Sequence, residues 1–187
     1  MRTSLVLNGQ GISREIKSRV IQSPLAGVTD KIFRKFIRRW APDSLLFTEM
    51  INATSLNLGY GVEKIKQISY EDGPIGIQLF DNRPNSVADA AKESESLGAY
   101  IIDINMGCPV KKIAKKGGGS ALLKDPDLAV ELVKRIARAV KIPVSVKTRI
   151  GWSVKDKNIK EFLLRLQDAG ANMFTIHGRT RDQGFNG

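Results

Sequence analysis

Apolar residues along this chain come in short unbroken runs, each closed by a polar residue and followed by a segment of helical period. Residues 20–23 open the series, and residues 44–48, 75–79, 100–105, 144–148 and 172–176 repeat it. Runs this short and continuous, bounded by Gly or Pro, predict strands covered on both faces, as in a parallel sheet. Between the runs the apolar spacing changes to three and four. Ile32, Phe33, Phe36, Ile37 and Trp40 share one face of a helix that Thr29 or Asp30 can cap, and Lys31, Arg34, Lys35, Arg38 and Arg39 cover the other. A helical stretch through about Ile68 precedes Gly73-Pro74. Residues 84–97 turn Val87, Ala90, Ala91, Ser94 and Leu97 inward and stop at Gly98. Asp125-Pro126 opens a helix with the stripe Leu128, Leu132, Val133, Ile136, Ala137 and Val140, and a last helix runs from about Asn158 to Ala169. The segment up to about Lys17 predicts only a short edge structure or lead-in.

Six βα alternations predict an α/β fold on a parallel sheet. A doubly wound sheet and a (β/α)₈ barrel compete, and the polar residues separate them. Glu49, Gln78, Asn105, Lys147 and His177 stand at or just past the C-terminal ends of different strands. A barrel builds its site from many strand ends, whereas a doubly wound sheet gathers it near one switch point. Neither GxGxxG nor GxxxxGK[ST] is present to favour the second. The expected fold is a TIM (β/α)₈ barrel, incomplete, with about six βα units in one domain spanning 1–187.

Composition changes this picture little, because 42% hydrophobic and 26% charged residues are values of an ordinary globular chain with a real core. Charge changes it more. The 30 Lys+Arg against 19 Asp+Glu leave +11, which points to a polyanionic partner, nucleic acid before an anionic membrane, while charge alone fits a merely solvated basic surface about equally well. No apolar run approaches the ~20 residues that span a bilayer. Leu5-Val6-Leu7 is too short for a signal-peptide core, and the single cysteine forms neither an internal disulfide nor a zinc knuckle. A cytoplasmic setting without membrane, metal or evident protein partner is expected.

The candidate chemistry centres on the run that ends in Asn105-Met106-Gly107-Cys108-Pro109. An apolar strand there delivers a thiol to a loop at the sheet rim. An ordinary thiol carries its proton at neutral pH, so Cys108 can donate a proton or, with His177 as base, act as a nucleophile. Lys147, inside an apolar strand, suggests an anionic ligand unless it points outward or pairs with a carboxylate such as Glu49. Gln78 and Asn105 each offer an amide donor and acceptor, as a heterocycle's carbonyl and N–H edge requires. His177 precedes Arg179 and Arg181 and suits a phosphate or ring contact. Lys111, Lys112, Lys115 and Lys116, with residues 117–119 all Gly, can hold phosphates unless the loop is simply solvated.

These residues together resemble the tRNA-dihydrouridine synthases, from about Ile16 onward. The carriers are Ser23-Pro24-Leu25-Ala26-Gly27-Val28-Thr29-Asp30, Thr48-Glu49-Met50, Gly76-Ile77-Gln78-Leu79 and Asp103-Ile104-Asn105-Met106-Gly107-Cys108-Pro109. Lys115-Lys116-Gly117-Gly118-Gly119-Ser120-Ala121-Leu122-Leu123, Val146-Lys147-Thr148-Arg149 and His177-Gly178-Arg179-Thr180-Arg181 follow in order. The resemblance implies FMN as cofactor and NADPH as reductant. It implies Pro24, Leu25 and Ala26 against the flavin, Gln78, Asn105, Lys147 and His177 at its ring or ribityl region, and Cys108 as catalytic acid. The implied reaction reduces the C5=C6 bond of a tRNA uridine, with hydride reaching C6 from reduced flavin and a proton reaching C5 from Cys108. Lys111, Lys112, Lys115, Lys116, Arg149, Arg179 and Arg181 are the implied tRNA contacts. Leu25 stands where many members carry Met, and Phe185 where Tyr is expected. The resemblance also places two further strands, flavin-phosphate loops and a C-terminal helical tRNA-binding domain beyond residue 187, so weak FMN binding and little activity are expected of residues 1–187 alone. Two alternatives stand beside it. A dihydroorotate or dihydropyrimidine dehydrogenase-like flavoenzyme leaves the +11 charge without a reason. A non-catalytic RNA-binding remnant would bind tRNA without regard to Cys108.

Overall fold

The computed structural model describes residues 4–71, 73–156, 159–184 and 186. The expected helix start at Asn158 and the departure at Phe185 lie outside the described residues. Strands β1 (Leu5–Asn8) and β2 (Ser13–Ile16) form an antiparallel hairpin, more regular than the lead-in that the sequence suggested. Then β3 (Ile21–Gln22), β4 (Leu45–Phe47), β5 (Ile51–Asn52), β6 (Ile75–Phe80), β7 (Ile101–Met106), β8 (Val144–Arg149) and β9 (Met173–His177) build a seven-stranded sheet. Every pairing in it is parallel. The strand order β3-β4-β6-β7-β8-β9 follows the chain, and β5 pairs with β6 beyond the point where β4 leaves it. An order that never reverses contains no switch point, so the doubly wound alternative falls away. With edges at β3 and β9, the sheet and its helices form a half-barrel, the incomplete TIM barrel expected.

The helices are α1 (Lys31–Trp40), α2 (Ala53–Asn57), α3 (Val62–Lys66), α4 (Pro84–Ser96), α5 (Lys111–Ala114), α6 (Pro126–Ala139) and α7 (Ile159–Asp168). Strand parity sorts side chains into two layers. Ile77, Leu79, Ile102, Ile104, Val144 and Val146 pack outward with Val87, Ala90 and Ala91 of α4 and Leu132, Val133 and Ile136 of α6. Each such Leu, Ile or Val contributes about 1.5–3 kcal/mol by leaving water. The opposite parity packs Leu45, Phe47 and Ile101 with Leu7 and Ile16 of the hairpin, which thereby covers the inner face at the N-terminal ends of the strands. Gly76 is required there, because a Cβ would lie 2.3 Å from the Phe47 ring. The floor is apolar and closed. The polar residues are left to the other end.

Helix α1 buries part of its charged face. Asp30 caps it, accepting from Phe33 N at 2.8 Å, but Arg34 on the basic face is buried. Its guanidinium pairs with Glu71 and donates to Thr29 O at 2.7 Å. Arg38 donates to the carbonyls of Pro42, Ser44 and Pro74. Meanwhile Ile32, Phe36 and Trp40 are 79%, 57% and 78% exposed. Periodicity defines two faces, but not which lies inside. A planar fork with a carboxylate and carbonyls in reach can be buried at low cost.

Candidate active site

The inner-layer residues rise toward the C-terminal ends in register. Gln78, Asp103 and Ser145 stand side by side on β6, β7 and β8, then Asn105 beside Lys147, then Arg149 beside His177. Parallel pairing keeps equal positions level, so residues far apart in sequence meet on one rim.

A continuous hydrogen-bonded series runs through the first two levels. Ser145 Oγ donates to Asp103 Oδ1 at 2.6 Å and Gln78 Nε2 donates to Oδ2 at 2.6 Å. Asn105 Nδ2 donates to Gln78 Oε1 at 2.9 Å, and Asn105 Oδ1 accepts from Gly107 N at 3.2 Å and Cys108 N at 2.9 Å. Asp103 is fully buried, and burial raises its pKa to about 6 despite hydrogen bonds from Ser145 and Gln78 and the charge of Lys147.

Two further hydrogen bonds hold the Cys108 loop. Arg149 Nε donates to Gly107 O at 2.7 Å, and Ser120 N donates to Cys108 O at 3.0 Å. Gly119, at φ +60°, lets the chain close over the thiol's residue, since a Cβ would lie 2.9 Å from Cys108 O. The thiol itself is half-buried, neither sealed in the core nor fully solvated. Lys111, Lys112, Lys115 and Lys116 are exposed around it. Beside the loop lies a cavity of about 410 Å³ lined by Phe80, Asp81, Arg83, Lys112, Ile113 and Lys116. Arg83 is anchored there by Asp81, Nε to Oδ1 at 3.2 Å, and Asp81 also accepts from Thr54 N at 3.0 Å.

Lys147 and His177 are the open polar groups. Lys147 is half-buried, and its Nζ makes no hydrogen bond or ion pair among the described residues; burial lowers its pKa while Asp103 and Cys108 oppose the shift. Glu49 is occupied elsewhere, accepting from Gly27 N at 2.6 Å, which ties down the turn at Pro24, Leu25 and Ala26. Thr29 Oγ1 braces that turn further, accepting from Leu25 N at 3.0 Å, and Leu25 stays 55% exposed. Burial, then the charges of Arg149, Lys147 and Arg179, lower the His177 pKa, so its imidazole is neutral at pH 7. No hydrogen bond joins His177 to Cys108 among the described residues.

Other expected contacts divide in position. Gln78 is 1% exposed and Asn105 9%, and their amides bind each other. Arg149 is 3% exposed, with Nη1 on Thr180 O at 2.9 Å and Gly184 O at 3.2 Å. It braces two loops rather than facing solvent. Arg181 stacks over Trp152 at 4.6 Å, with Lys124 within 5.0 Å of the same ring. Sequence reasoning missed Asp103, Arg83 and Trp152. Asp103 was findable as a lone acid of inner parity level with Gln78 and Ser145. No group of three or more His, Cys, Asp or Glu is placed to hold a metal ion among the described residues. Among them, too, no helix is long and apolar enough to cross a membrane.

Parallel strands feeding amides, a lysine, a histidine and a thiol to one rim define a (β/α)-barrel domain with its candidate site at the C-terminal face. The chain belongs to the dihydrouridine synthase (Dus) family, whose description matches residues 21–187. It is 53% identical over 94% of its length to a Synechocystis protein named probable tRNA-dihydrouridine synthase 1, of which it covers 49%. It is 39% identical to a Vibrio vulnificus protein named tRNA-dihydrouridine synthase B, covering 89% of this chain and 52% of that one. A Rickettsia bellii protein named probable tRNA-dihydrouridine synthase is 38% identical over 92% of this chain and 53% of its own. The chain thus spans about half the length of the curated relatives it matches.

Proposed function

We propose that this chain carries the rim of an FMN-dependent enzyme that reduces uridine in tRNA to 5,6-dihydrouridine with NADPH as reductant. The observation that carries the reading is Lys147. A half-buried ammonium whose Nζ has no hydrogen bond or ion pair among the described residues, level with Asn105 and close to Cys108, fits the electron-rich edge of a flavin. His177, its pKa lowered and with no hydrogen bond to Cys108 among the described residues, can face the same ligand, with Pro24, Leu25 and Ala26 as its apolar contact. Gln78 keeps one donor and one acceptor valence toward it, whereas the Asn105 amide is taken up by Gln78, Met50 Sδ and the Gly107 and Cys108 N–H groups and would serve by holding that loop. Bound FMN supplies the hydride.

Cys108 then gives its proton to C5 of the uridine. A thiol that shares no hydrogen bond with His177 among the described residues suits an acid better than a nucleophile. The exposed Lys111, Lys112, Lys115 and Lys116, with Arg179 and Arg181, would grip tRNA phosphates, and Arg149 would act by bracing the Cys108 loop. The cavity between Arg83, Lys112 and Lys116 gives a phosphodiester a ready seat. The uridine has to leave its stack to reach the thiol. The +11 charge and the names of the relatives favour tRNA over a small pyrimidine such as orotate.

Titrating FMN against the purified chain by flavin fluorescence tests the cofactor half of the reading. Weak saturable binding that Lys147→Ala abolishes is expected. No saturable binding to the folded chain, or binding indifferent to Lys147→Ala, would overturn it.

A further inference from the structure

We propose that Asp103 is a positioning residue: it sets the direction of every hydrogen bond through Gln78 and Asn105, and so holds the backbone loop that carries Cys108. The two ends of the series dictate this. At one end a carboxylate only accepts, and both of its oxygens are engaged, by Ser145 Oγ and Gln78 Nε2. At the other end the backbone N–H groups of Gly107 and Cys108 only donate. Between them stand two amides whose oxygen and nitrogen ends have nearly the same shape.

An acceptor at position 103 obliges Gln78 to turn its NH₂ downward and its oxygen toward Asn105. Asn105 must then give its NH₂ to Gln78 and keep its oxygen for the loop. Each distance, from 2.6 to 3.2 Å, is consistent with that one direction. Without the acceptor, Gln78 can turn over and offer NH₂ to Asn105. Asn105 would follow and present NH₂ to the donors of Gly107 and Cys108, where no hydrogen bond can form. The loop would keep Arg149 and Ser120, but lose the two bonds nearest the thiol.

A buried carboxylate without an ion pair is costly, and a fold needing only volume here would place an apolar residue. The series explains why an acid stands in this strand. The role does not depend on the reaction proposed above, because its readout is the order of the loop and not turnover.

The test compares Asp103→Leu with the paired exchange Gln78→Glu and Asp103→Asn. The exchange moves the acceptor one position along, so that the amide at 103 donates to the new carboxylate, which still accepts from Asn105. Hydrogen exchange of the Cys108 amide and the rate of its thiol with an aromatic disulfide are measured on each. Asp103→Leu is expected to raise both by about tenfold, the size of one or two lost hydrogen bonds, with the exchange pair close to wild type. Unchanged rates in a folded Asp103→Leu, or an exchange pair as loose as it, would overturn the proposal. Should Asp103→Leu not fold, the exchange pair decides: a protected Cys108 amide supports the role and an unprotected one refutes it.

Discussion

Asp103 shows best how a single side chain shapes this rim. Its pKa, raised from 3.8 to about 6 by burial, means the folded state holds this proton more tightly than the unfolded one between those values. Its contribution to stability is therefore full below about pH 4 and lost as pH rises through 6, by about 3 kcal/mol at most. Asp103→Asn removes that dependence. Urea midpoints for the two proteins from pH 4 to pH 8 are expected to show the variant gaining relative to wild type as pH rises; parallel curves would contradict the shift. Asp81, its pKa lowered by Thr54 and Arg83 against the cost of burial, slopes the other way, and it cancels in the difference. At this scale the sequence was legible where chemistry is unusual for its place: a thiol beyond a strand end, a lysine inside one. The amides of Gln78 and Asn105 looked the same as ligand groups and as structural ones. Only their distances to each other reveal the second task.

At the scale of elements, strand and helix positions were readable because apolar runs and helical stripes are set by burial on both sides of the sheet. The stripes of α4 and α6 pack as their spacing predicted. Helix α1 is the exception: its spacing sets Ile32, Phe33, Phe36, Ile37 and Trp40 on one face, yet Ile37 packs against the core while Ile32, Phe36 and Trp40 are exposed, and Arg34 of the other face is buried. Arg34 and Glu71 have side chains only 4% and 8% exposed, so removing one strands the other's charge. Arg34→Ala is expected to destabilise the chain by about 3–5 kcal/mol in urea unfolding, and a loss below about 1 kcal/mol would show the pair to be solvated. The β1–β2 segment was expected only as a short edge structure, and its place over the floor was not readable, for a different reason. Its pairing partner is local, but what it covers, the floor of Leu45, Phe47 and Ile101, is distant in sequence.

At the scale of the molecule, the barrel architecture was legible from where the polar residues end the strands, because a closed interior leaves only the rim for them. The half-barrel places its cations around the same rim that carries the thiol, and this has a measurable consequence. tRNA affinity should fall steeply with salt, log K against log[salt] losing about one in slope for each phosphate contact removed. Lys112→Ala with Lys116→Ala should flatten the slope by about two, and an unchanged slope would place the RNA elsewhere. The account rests finally on the thiol as acid. The most direct measurement is dihydrouridine formation in an unmodified tRNA transcript, with FMN and NADPH, by this chain joined to the remaining half of the Synechocystis relative. Dihydrouridine is expected to form, and Cys108→Ala to slow it by about 10²–10⁴-fold. Equal rates with and without the thiol, or no dihydrouridine from a folded flavin-bound chimaera, would contradict the account.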